Sequence, residues 1–346
     1  MLANTGDLGS QPFIISKLLE IARIFRLKKS SPEKWNWLNR FMSHQDERNE
    51  SEEFRKLSEI FLHVLHNAGL DTVDKTSLDH LLGILDTNSI SSDSSMQLLF
   101  PYLSLASHSC IPNCEHWITG TKATLRAKRK IVAGEEITIR YSYLTLHRNL
   151  LQTVIKNAWH FSCSCTRCCD VSEVGTRASQ FQCEKCREGF LQESGDCYRC
   201  DGCEENMSLG EVRERAALLR SYEVSTPLEK IPTVILEMEA KGGHPLYHSV
   251  IQLKLQYIEG ITKKCLNEHI CKIVMEYSQD ICRYMDKLNP GVSMMRGRIL
   301  FCMAKVNNWF LKSSPKDTKP GESVKGGQEV VKMMILAKKM ISGYVT

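Results

Sequence analysis

The cysteines constrain this chain more than any other feature, because most of them are concentrated in one short segment. The chain has 346 residues and 15 cysteines, and nine of these cysteines lie between Cys163 and Cys203. Residues 1–11 show no basic segment followed by an apolar one, so no secretory signal is indicated. We therefore expect a cytoplasmic and nuclear protein whose thiols stay reduced and are available as metal ligands.

Two CxxC pairs lie at the end of this segment. Cys183 pairs with Cys186, Cys200 pairs with Cys203, and thirteen residues separate the pairs. This spacing is close to that of a four-cysteine zinc ribbon, in which each tight turn directs two thiolates towards one tetrahedral ion. Cys197 lies three residues before Cys200 and is an alternative partner for it. We favour Cys203, because this choice leaves the longer loop between the pairs.

A second constellation provides three more sulfurs, from Cys163, Cys165 and Cys168 in CxCxxC spacing. A catalytic zinc would keep its fourth position for water, whereas a structural zinc would take a fourth cysteine from elsewhere in the chain. Cys110, in the segment Ser107-His108-Ser109-Cys110-Ile111-Pro112-Asn113, is the candidate for that ligand. The spacing alone leaves both alternatives open.

Hydrophobic periodicity divides the rest of the chain into helical and extended parts. Apolar residues recur at helical spacing over residues 11–29 and 52–67, and again in six segments after residue 208. Alternating segments indicate strands at residues 115–119, 121–127 and 136–143. The pattern predicts an α+β fold, with helices first, a small antiparallel β region next and an all-α part at the end. The density of helices in that last part favours TPR-like hairpins.

Three motifs, taken in order, resemble those of the SET and MYND (Smyd) protein-lysine methyltransferases, particularly the arthropod SmydA group. The segment 107–114 looks like the family's NHSCxPN motif, and Gly134-Glu135-Glu136-Ile137 running to Tyr141 looks like its GEEIxxxY motif. Phe161 with the CxCxxC triplet looks like its post-SET region. The resemblance implies four parts: a helical SET insert at 1–100, the C-terminal SET core at 101–160, the post-SET region and zinc knuckles at 161–206, and a helical TPR-like domain at 207–346.

The resemblance also implies a reaction and a set of residues for it. A methyl group would pass from S-adenosylmethionine to a lysine of a histone or another protein, and Tyr141 would place its hydroxyl beside the reacting amine. Phe161 would stack on the adenine, and the other implied cofactor contacts are Asn88, Ser107, His108 and Tyr141. Two structural zinc ions are implied. Their ligands would be Cys110, Cys163, Cys165 and Cys168 for one ion, and Cys183, Cys186, Cys200 and Cys203 for the other.

The sequence departs from the family pattern in several places. We find no glycine-containing GxG segment and no MYND finger, so we expect the chain to begin within the insert. The asparagine of the NHSC motif is Ser107 here, and an aromatic residue that is often tyrosine is Trp159. These departures define the alternative hypothesis, a catalytically inactive SET-derived scaffold that binds zinc and a protein partner, the partner lying on the helical domain.

Charge and hydropathy limit the class of partner. The net charge is +5 and the isoelectric point is about 8.4, without the concentrated Lys/Arg stripe of a nucleic-acid binder. No uninterrupted apolar stretch reaches the length of a membrane span. We therefore expect neither membrane insertion nor direct nucleic-acid binding, and the family resemblance implies a protein substrate and a protein partner.

Overall fold

The computed structural model describes residues 11–91, 97–263, 266–313 and 320–341. The chain forms two compact units. The N-terminal unit comprises Met1–Ser107, His116–Leu125 and Thr153–Ser162, and the C-terminal unit comprises His108–Glu115, Arg126–Gln152 and Cys163–Thr346. The described residues combine helices with small sheets, which confirms the α+β prediction at this level. The four-part division predicted from the sequence stays a prediction.

The N-terminal unit begins with five helices: α1 (Gln11–Ser30), α2 (Pro32–Leu38), α3 (Gln45–Asn49), α4 (Glu52–Asn67) and α5 (Lys75–Asn88). Side-chain caps fix where the two longer helices after α1 start. The Ser51 hydroxyl accepts the Phe54 N–H at 3.3 Å before α4, and the Asp74 carboxylate accepts the Ser77 N–H at 2.8 Å before α5. Each cap satisfies an N–H that has no partner inside the helix.

The core of this unit is mainly apolar and includes one buried carboxylate. The fully buried side chains come from α1, α4 and α5, and they include Ile21, Phe61, Leu78, Leu81 and Ile84. Among them, the Ser58 hydroxyl donates to the Asp79 carboxylate, and the Lys75 ammonium lies 2.9 Å from the same group. A buried carboxylate is tolerated here because it is both hydrogen-bonded and paired. The chain then forms the antiparallel pair β1 (Ser89–Ser91) and β2 (Gln97–Leu99).

Four short strands follow in the region predicted to be extended: β3 (Ser107–His108), β4 (Cys114–Thr119), β5 (Lys122–Ala127) and β6 (Thr138–Ile139). β4 and β5 form one two-stranded sheet, and β3 and β6 form another. Gly120, at φ +57°, lies in the tight turn between β4 and β5, where a residue without a Cβ is least strained.

The predicted strand at residues 136–143 is much shorter in the structure. β6 ends at Ile139, whose carbonyl accepts the Ser109 N–H at 3.0 Å. Beyond it, the Arg140 guanidinium donates to the Cys110 carbonyl, and the Tyr141 N–H donates to the His108 ring. The ladder stops because side chains, rather than a neighbouring strand, provide these hydrogen bonds.

The cysteine-rich region has little regular structure. It follows α6 (Arg148–Trp159) and contains α7 (Thr166–Cys169) and a three-stranded antiparallel sheet of β7 (Leu191–Ser194), β8 (Cys197–Cys200) and β9 (Asn206–Ser208). In this sheet Leu191 lies opposite Cys200, and Cys197 lies opposite Ser208.

Six helices complete the C-terminal unit: α8 (Leu209–Ser225), α9 (Ile231–Ala240), α10 (His248–Ile261), α11 (Glu268–Leu288), α12 (Met294–Ser313) and α13 (Pro320–Ile341). α8 starts at a capping box in which Ser208 and Glu211 satisfy each other's backbone N–H groups. The helical character of this part is as predicted, whereas the TPR-like arrangement stays a prediction. None of the helices within the described ranges combines the length and apolar composition that crossing a bilayer requires.

The segment between α11 and α12 packs against Lys128, which follows β5. The Val292 N–H donates to the Lys128 carbonyl at 2.9 Å, and the Lys128 ammonium donates to the Asn289 side chain. Gly291 passes over the same carbonyl at φ +84°, and a Cβ there would lie 2.3 Å from the oxygen. This contact explains the glycine in the sequence Leu288-Asn289-Pro290-Gly291. Only glycine can both adopt this φ and lie so close to the Lys128 carbonyl.

We therefore predict that Gly291→Ala destabilises the C-terminal unit. The alanine would meet both an unfavourable φ and a backbone clash, so the free energy of unfolding should fall by about 2 kcal/mol. Urea unfolding followed by far-ultraviolet circular dichroism measures this change. Gly210→Ala is the matched control, since Gly210 lies in α8 with only one atom within 4 Å of the added Cβ, at 3.8 Å. An unfolding free energy equal to that of the Gly210 variant would contradict the prediction.

Candidate functional site

The structure brings Cys110 to the three sulfurs of the CxCxxC segment. The Sγ atoms of Cys110, Cys163, Cys165 and Cys168 all lie within 4.8 Å of one another. Cys110 Sγ is 3.8 Å from Cys163 Sγ and 3.5 Å from Cys168 Sγ. Four thiolates bound to one zinc at the usual 2.3 Å bond length would be about 3.8 Å apart. The first cysteine group, as we call these four residues, therefore has the donor set and spacing of a closed tetrahedral site.

Local hydrogen bonds hold the triplet of the first cysteine group in place. The Gln152 side chain makes two hydrogen bonds to the Cys163 backbone. Its amide nitrogen donates to the Cys163 carbonyl at 2.8 Å, and its oxygen accepts the Cys163 N–H at 3.0 Å. Cys165 precedes α7, and its carbonyl accepts the Cys168 N–H at 2.9 Å. Cys110 and Cys163 are the most buried of the four sulfur-bearing residues, at 1% and 8% exposure. No sequence signal pointed to Gln152, because it stands in an ordinary helical pattern.

The second cysteine group consists of Cys183, Cys186, Cys200 and Cys203, whose sulfurs also lie within 4.8 Å of one another. Cys183 Sγ is 3.7 Å from Cys203 Sγ, and Cys186 Sγ is 3.7 Å from Cys200 Sγ. Cys197, the alternative considered from spacing, instead donates its thiol to the Ser194 carbonyl at 3.5 Å. The geometry thus selects Cys203.

Backbone N–H groups stabilise thiolates in the second group. The Gly189 N–H donates to Cys186 Sγ at 3.3 Å, and the Gly202 N–H donates to Cys200 Sγ at 3.3 Å. The Gly189 hydrogen bond is the largest cause that lowers the pKa of the Cys186 thiol, to about 6. Hydrogen bonds of this kind offset the negative charge that four thiolates concentrate at one point.

Tyr141 is connected to the first cysteine group through His108. The Tyr141 N–H donates to His108 Nδ1 at 3.0 Å, and His108 Nε2 lies 3.4 Å from Cys110 Sγ. The rings of His108 and Tyr141 are in contact, with centroids 5.2 Å apart and planes at 58°. Arg140 adds a second connection, since its guanidinium donates to the Cys110 carbonyl at 2.6 and 3.2 Å. The candidate catalytic tyrosine and a candidate metal ligand therefore belong to one network.

The Tyr141 hydroxyl stays protonated at neutral pH. Burial raises its pKa above the ordinary value, and the negative charge of Glu136 acts in the same direction. A neutral phenol can both donate and accept a hydrogen bond. This side chain can therefore orient an amine without becoming charged.

The remaining predicted cofactor residues, Asn88, Ser107 and Phe161, belong to the N-terminal unit, whereas His108 and Tyr141 belong to the C-terminal unit. The Asn88 amide nitrogen donates to the carbonyls of Ile84, at 2.8 Å, and Met42, at 2.9 Å. Any further contact of its side chain with a cofactor would have to use the side-chain oxygen. Phe161 is partly buried.

Trp159 has a defined structural role in the N-terminal unit. Its indole N–H donates to the Thr87 carbonyl at 3.0 Å, next to Asn88. Arg48 donates to the Thr87 hydroxyl and to the Ala158 carbonyl, both at 3.1 Å. These hydrogen bonds join the end of α5 to the end of α6. The Thr87 carbonyl requires only a donor, and the indole N–H of Trp159 is one.

Comparison with known proteins identifies the domain. A SET domain matches residues 16–142. The chain is 32% identical over 151 residues to the SET domain-containing protein SmydA-8, isoform A, of Drosophila melanogaster, a match that covers 38% of this chain and 32% of that protein. It is 29% identical over 235 residues to the histone-lysine N-methyltransferase ASHR1 of Arabidopsis thaliana, covering 62% of this chain and 47% of that protein.

A longer match is to the N-lysine methyltransferase SMYD2 of Mus musculus, at 26% identity over 276 residues, or 75% of this chain and 61% of that protein. The chain thus spans between about a third and three fifths of the length of these three relatives. The motifs around Cys110, Tyr141 and the CxCxxC triplet had predicted this relationship. The chain carries a SET domain, and the relatives that it matches include Smyd proteins of Drosophila melanogaster and Mus musculus.

Proposed function

We propose that this chain belongs to an S-adenosylmethionine-dependent protein-lysine N-methyltransferase, and that its two cysteine groups hold structural zinc. One observation supports the activity most directly: the SET match ends at residue 142, immediately after Tyr141, a neutral tyrosine fixed by the network of the first cysteine group. The names of the relatives, which describe lysine and histone-lysine methyltransferases, suggest a lysine of a histone or of another protein as substrate.

The chemical difficulty in methylating lysine is to present a neutral amine in line with the methyl donor. The reference lysine pKa of about 10.4 leaves few neutral amines at pH 7. When bound, S-adenosylmethionine supplies an electrophilic methyl group on its sulfonium. The Tyr141 hydroxyl, being neutral, can accept a hydrogen bond from the amine and hold its lone pair in a fixed direction, which lowers the entropic part of the barrier.

The residues assigned to the cofactor have the chemistry that it requires. Phe161 is partly buried, as suits a ring that stacks on adenine, and the Asn88 side-chain oxygen can accept from an amino or hydroxyl group. We propose Ser107, His108 and Tyr141 as the other cofactor contacts.

The cysteine groups fit a structural role for zinc. Each provides four thiols at tetrahedral spacing, so no coordination position is left for water or substrate. In the first group, Cys163 follows Phe161 by two residues, so metal binding would also order the segment that carries this aromatic ring.

The first prediction concerns Tyr141. Tyr141→Phe removes only the hydroxyl, so the rate of methyl transfer should fall about 100-fold while S-adenosylmethionine still binds. Incorporation of tritiated methyl groups into core histones measures the rate. Tyr143→Phe is the matched control, since Tyr143 is two residues away and 68% exposed. Equal rates for the two variants would remove Tyr141 from the mechanism.

A second prediction is that the chain binds S-adenosylmethionine saturably in isothermal titration calorimetry. The zinc-loaded protein should give a heat of binding that disappears when Phe161 is changed to Ala, because the stacking surface is lost. A flat titration of the wild type would reject independent methyltransferase activity and support the inactive-scaffold alternative.

The third prediction is the metal content. Inductively coupled plasma mass spectrometry should find two zinc ions per chain, one for each cysteine group. Cys165→Ser and Cys186→Ser should each lower the content by one ion, since each removes one of four ligands. Cys197→Ser should leave it unchanged, because the Cys197 thiol donates to a backbone carbonyl outside the group. Loss of zinc from the Cys197 variant would show that the ligand assignment is wrong.

A further inference from the structure

We propose that the His108 side chain is a positioning residue that couples metal binding at the first cysteine group to the backbone of Tyr141. Its importance for methyl transfer rests on the proposed function. The coupling itself depends only on the chain and on a metal at the four sulfurs.

The hydrogen bonds of His108 with Tyr141 and Cys110 require one particular tautomer. The Tyr141 N–H can only donate, so Nδ1 of the ring must be the acceptor of that 3.0 Å bond. In the neutral ring the proton then lies on Nε2, which faces Cys110 Sγ at 3.4 Å. His108 therefore donates to the sulfur with one nitrogen and accepts from Tyr141 with the other.

Metal binding would favour this tautomer. A metal-bound thiolate has no proton and is only an acceptor, so it keeps the imidazole proton on Nε2 and leaves Nδ1 available for Tyr141. The N–H to sulfur bond is also strengthened when the sulfur carries negative charge. The state of the metal site is thereby transmitted, over two hydrogen bonds, to the main chain of Tyr141.

Arg140 holds the same stretch of chain in a way that does not depend on the metal. It donates to the Cys110 carbonyl and, at 2.9 Å, to the Leu288 carbonyl. A carbonyl is an acceptor whether or not the neighbouring sulfur binds a metal. Of these two connections between residues 140–141 and Cys110, only the one through His108 ends on the sulfur. This difference assigns the coupling to His108 rather than to Arg140.

Two substitutions separate the two hydrogen bonds. In His108→Asn the side-chain oxygen takes the place of Nδ1 and can still accept from Tyr141, but the side chain is too short to reach the sulfur. In His108→Gln the amide nitrogen takes the place of Nε2 and can still donate to the sulfur, but no acceptor remains at the Nδ1 position. His80→Asn is the matched control, because His80 also uses both ring nitrogens, towards Ser43 and Asn39, within the N-terminal unit.

Two measurements on the whole 346-residue chain, starting from its zinc-loaded form, test the proposal. Zinc release to the chelator 4-(2-pyridylazo)resorcinol reports the first cysteine group, with the Cys186→Ser variant identifying which phase belongs to the second. Hydrogen exchange of the Tyr141 amide, measured with zinc bound and again after chelation, reports the backbone. Chelation should speed this exchange in wild type and leave it unchanged in His108→Asn, whose side chain does not reach the sulfur. We expect His108→Asn to release zinc about 10-fold faster than wild type and to keep the amide protected. We expect His108→Gln to release zinc at the wild-type rate and to lose the protection of the Tyr141 amide. His80→Asn should change neither the zinc release nor the amide exchange.

The possible outcomes separate this inference from the proposed function. Both variants losing zinc and amide protection to the same extent would overturn the coupling and leave His108 with a general structural role. Neither variant changing either measurement would overturn it as well. If the two His108 variants give the opposite results described above but the chain binds no S-adenosylmethionine, the coupling is supported and the methyltransferase proposal is refuted.

Discussion

The meeting of Cys110 with three sulfurs more than fifty residues later is the constraint on which the candidate site depends. The strands around it are too short to fix the chain by themselves, since β3 and β6 have only two residues each. Side-chain hydrogen bonds hold this part of the chain instead. Gln152 bonds to the backbone of Cys163, and Arg140 and His108 connect residues 140–141 to Cys110. A metal at these sulfurs would contribute its binding free energy directly to this arrangement.

The second cysteine group is integrated into the C-terminal unit and is not a separate module. Cys183 and Cys200 are buried within the same apolar core as α9 to α11. Phe181, two residues before Cys183, stacks on Tyr247 with centroids 5.2 Å apart, and the Arg215 guanidinium lies 5.7 Å from the Phe181 ring. These contacts give the group a role in packing the C-terminal unit.

Two basic side chains, the buried Lys128 and the partly buried Arg140, lie against the connection between α11 and α12. Lys128 is 4% exposed, and burial together with the nearby charge of Arg140 lowers its pKa to about 7. Both side chains donate to Asn289. Placing cations where water is excluded is costly unless acceptors are provided. The Asn289 side chain and the Leu288 carbonyl are such acceptors, and they hold the start of the α11–α12 connection in place.

The sequence by itself determined the local features of this protein. Helices could be predicted from apolar periodicity, and the SET relationship and most candidate metal ligands from motifs, because these signals lie within a few residues of one another. Only the tertiary structure decided that Cys110 completes the first group, that Cys203 rather than Cys197 completes the second, that β6 ends at Ile139, and that the Asn88 amide is used within its own unit. In each case the partner is either distant in the chain or one of two residues at the same sequence spacing. Sequence spacing carries no information about which atoms meet in space.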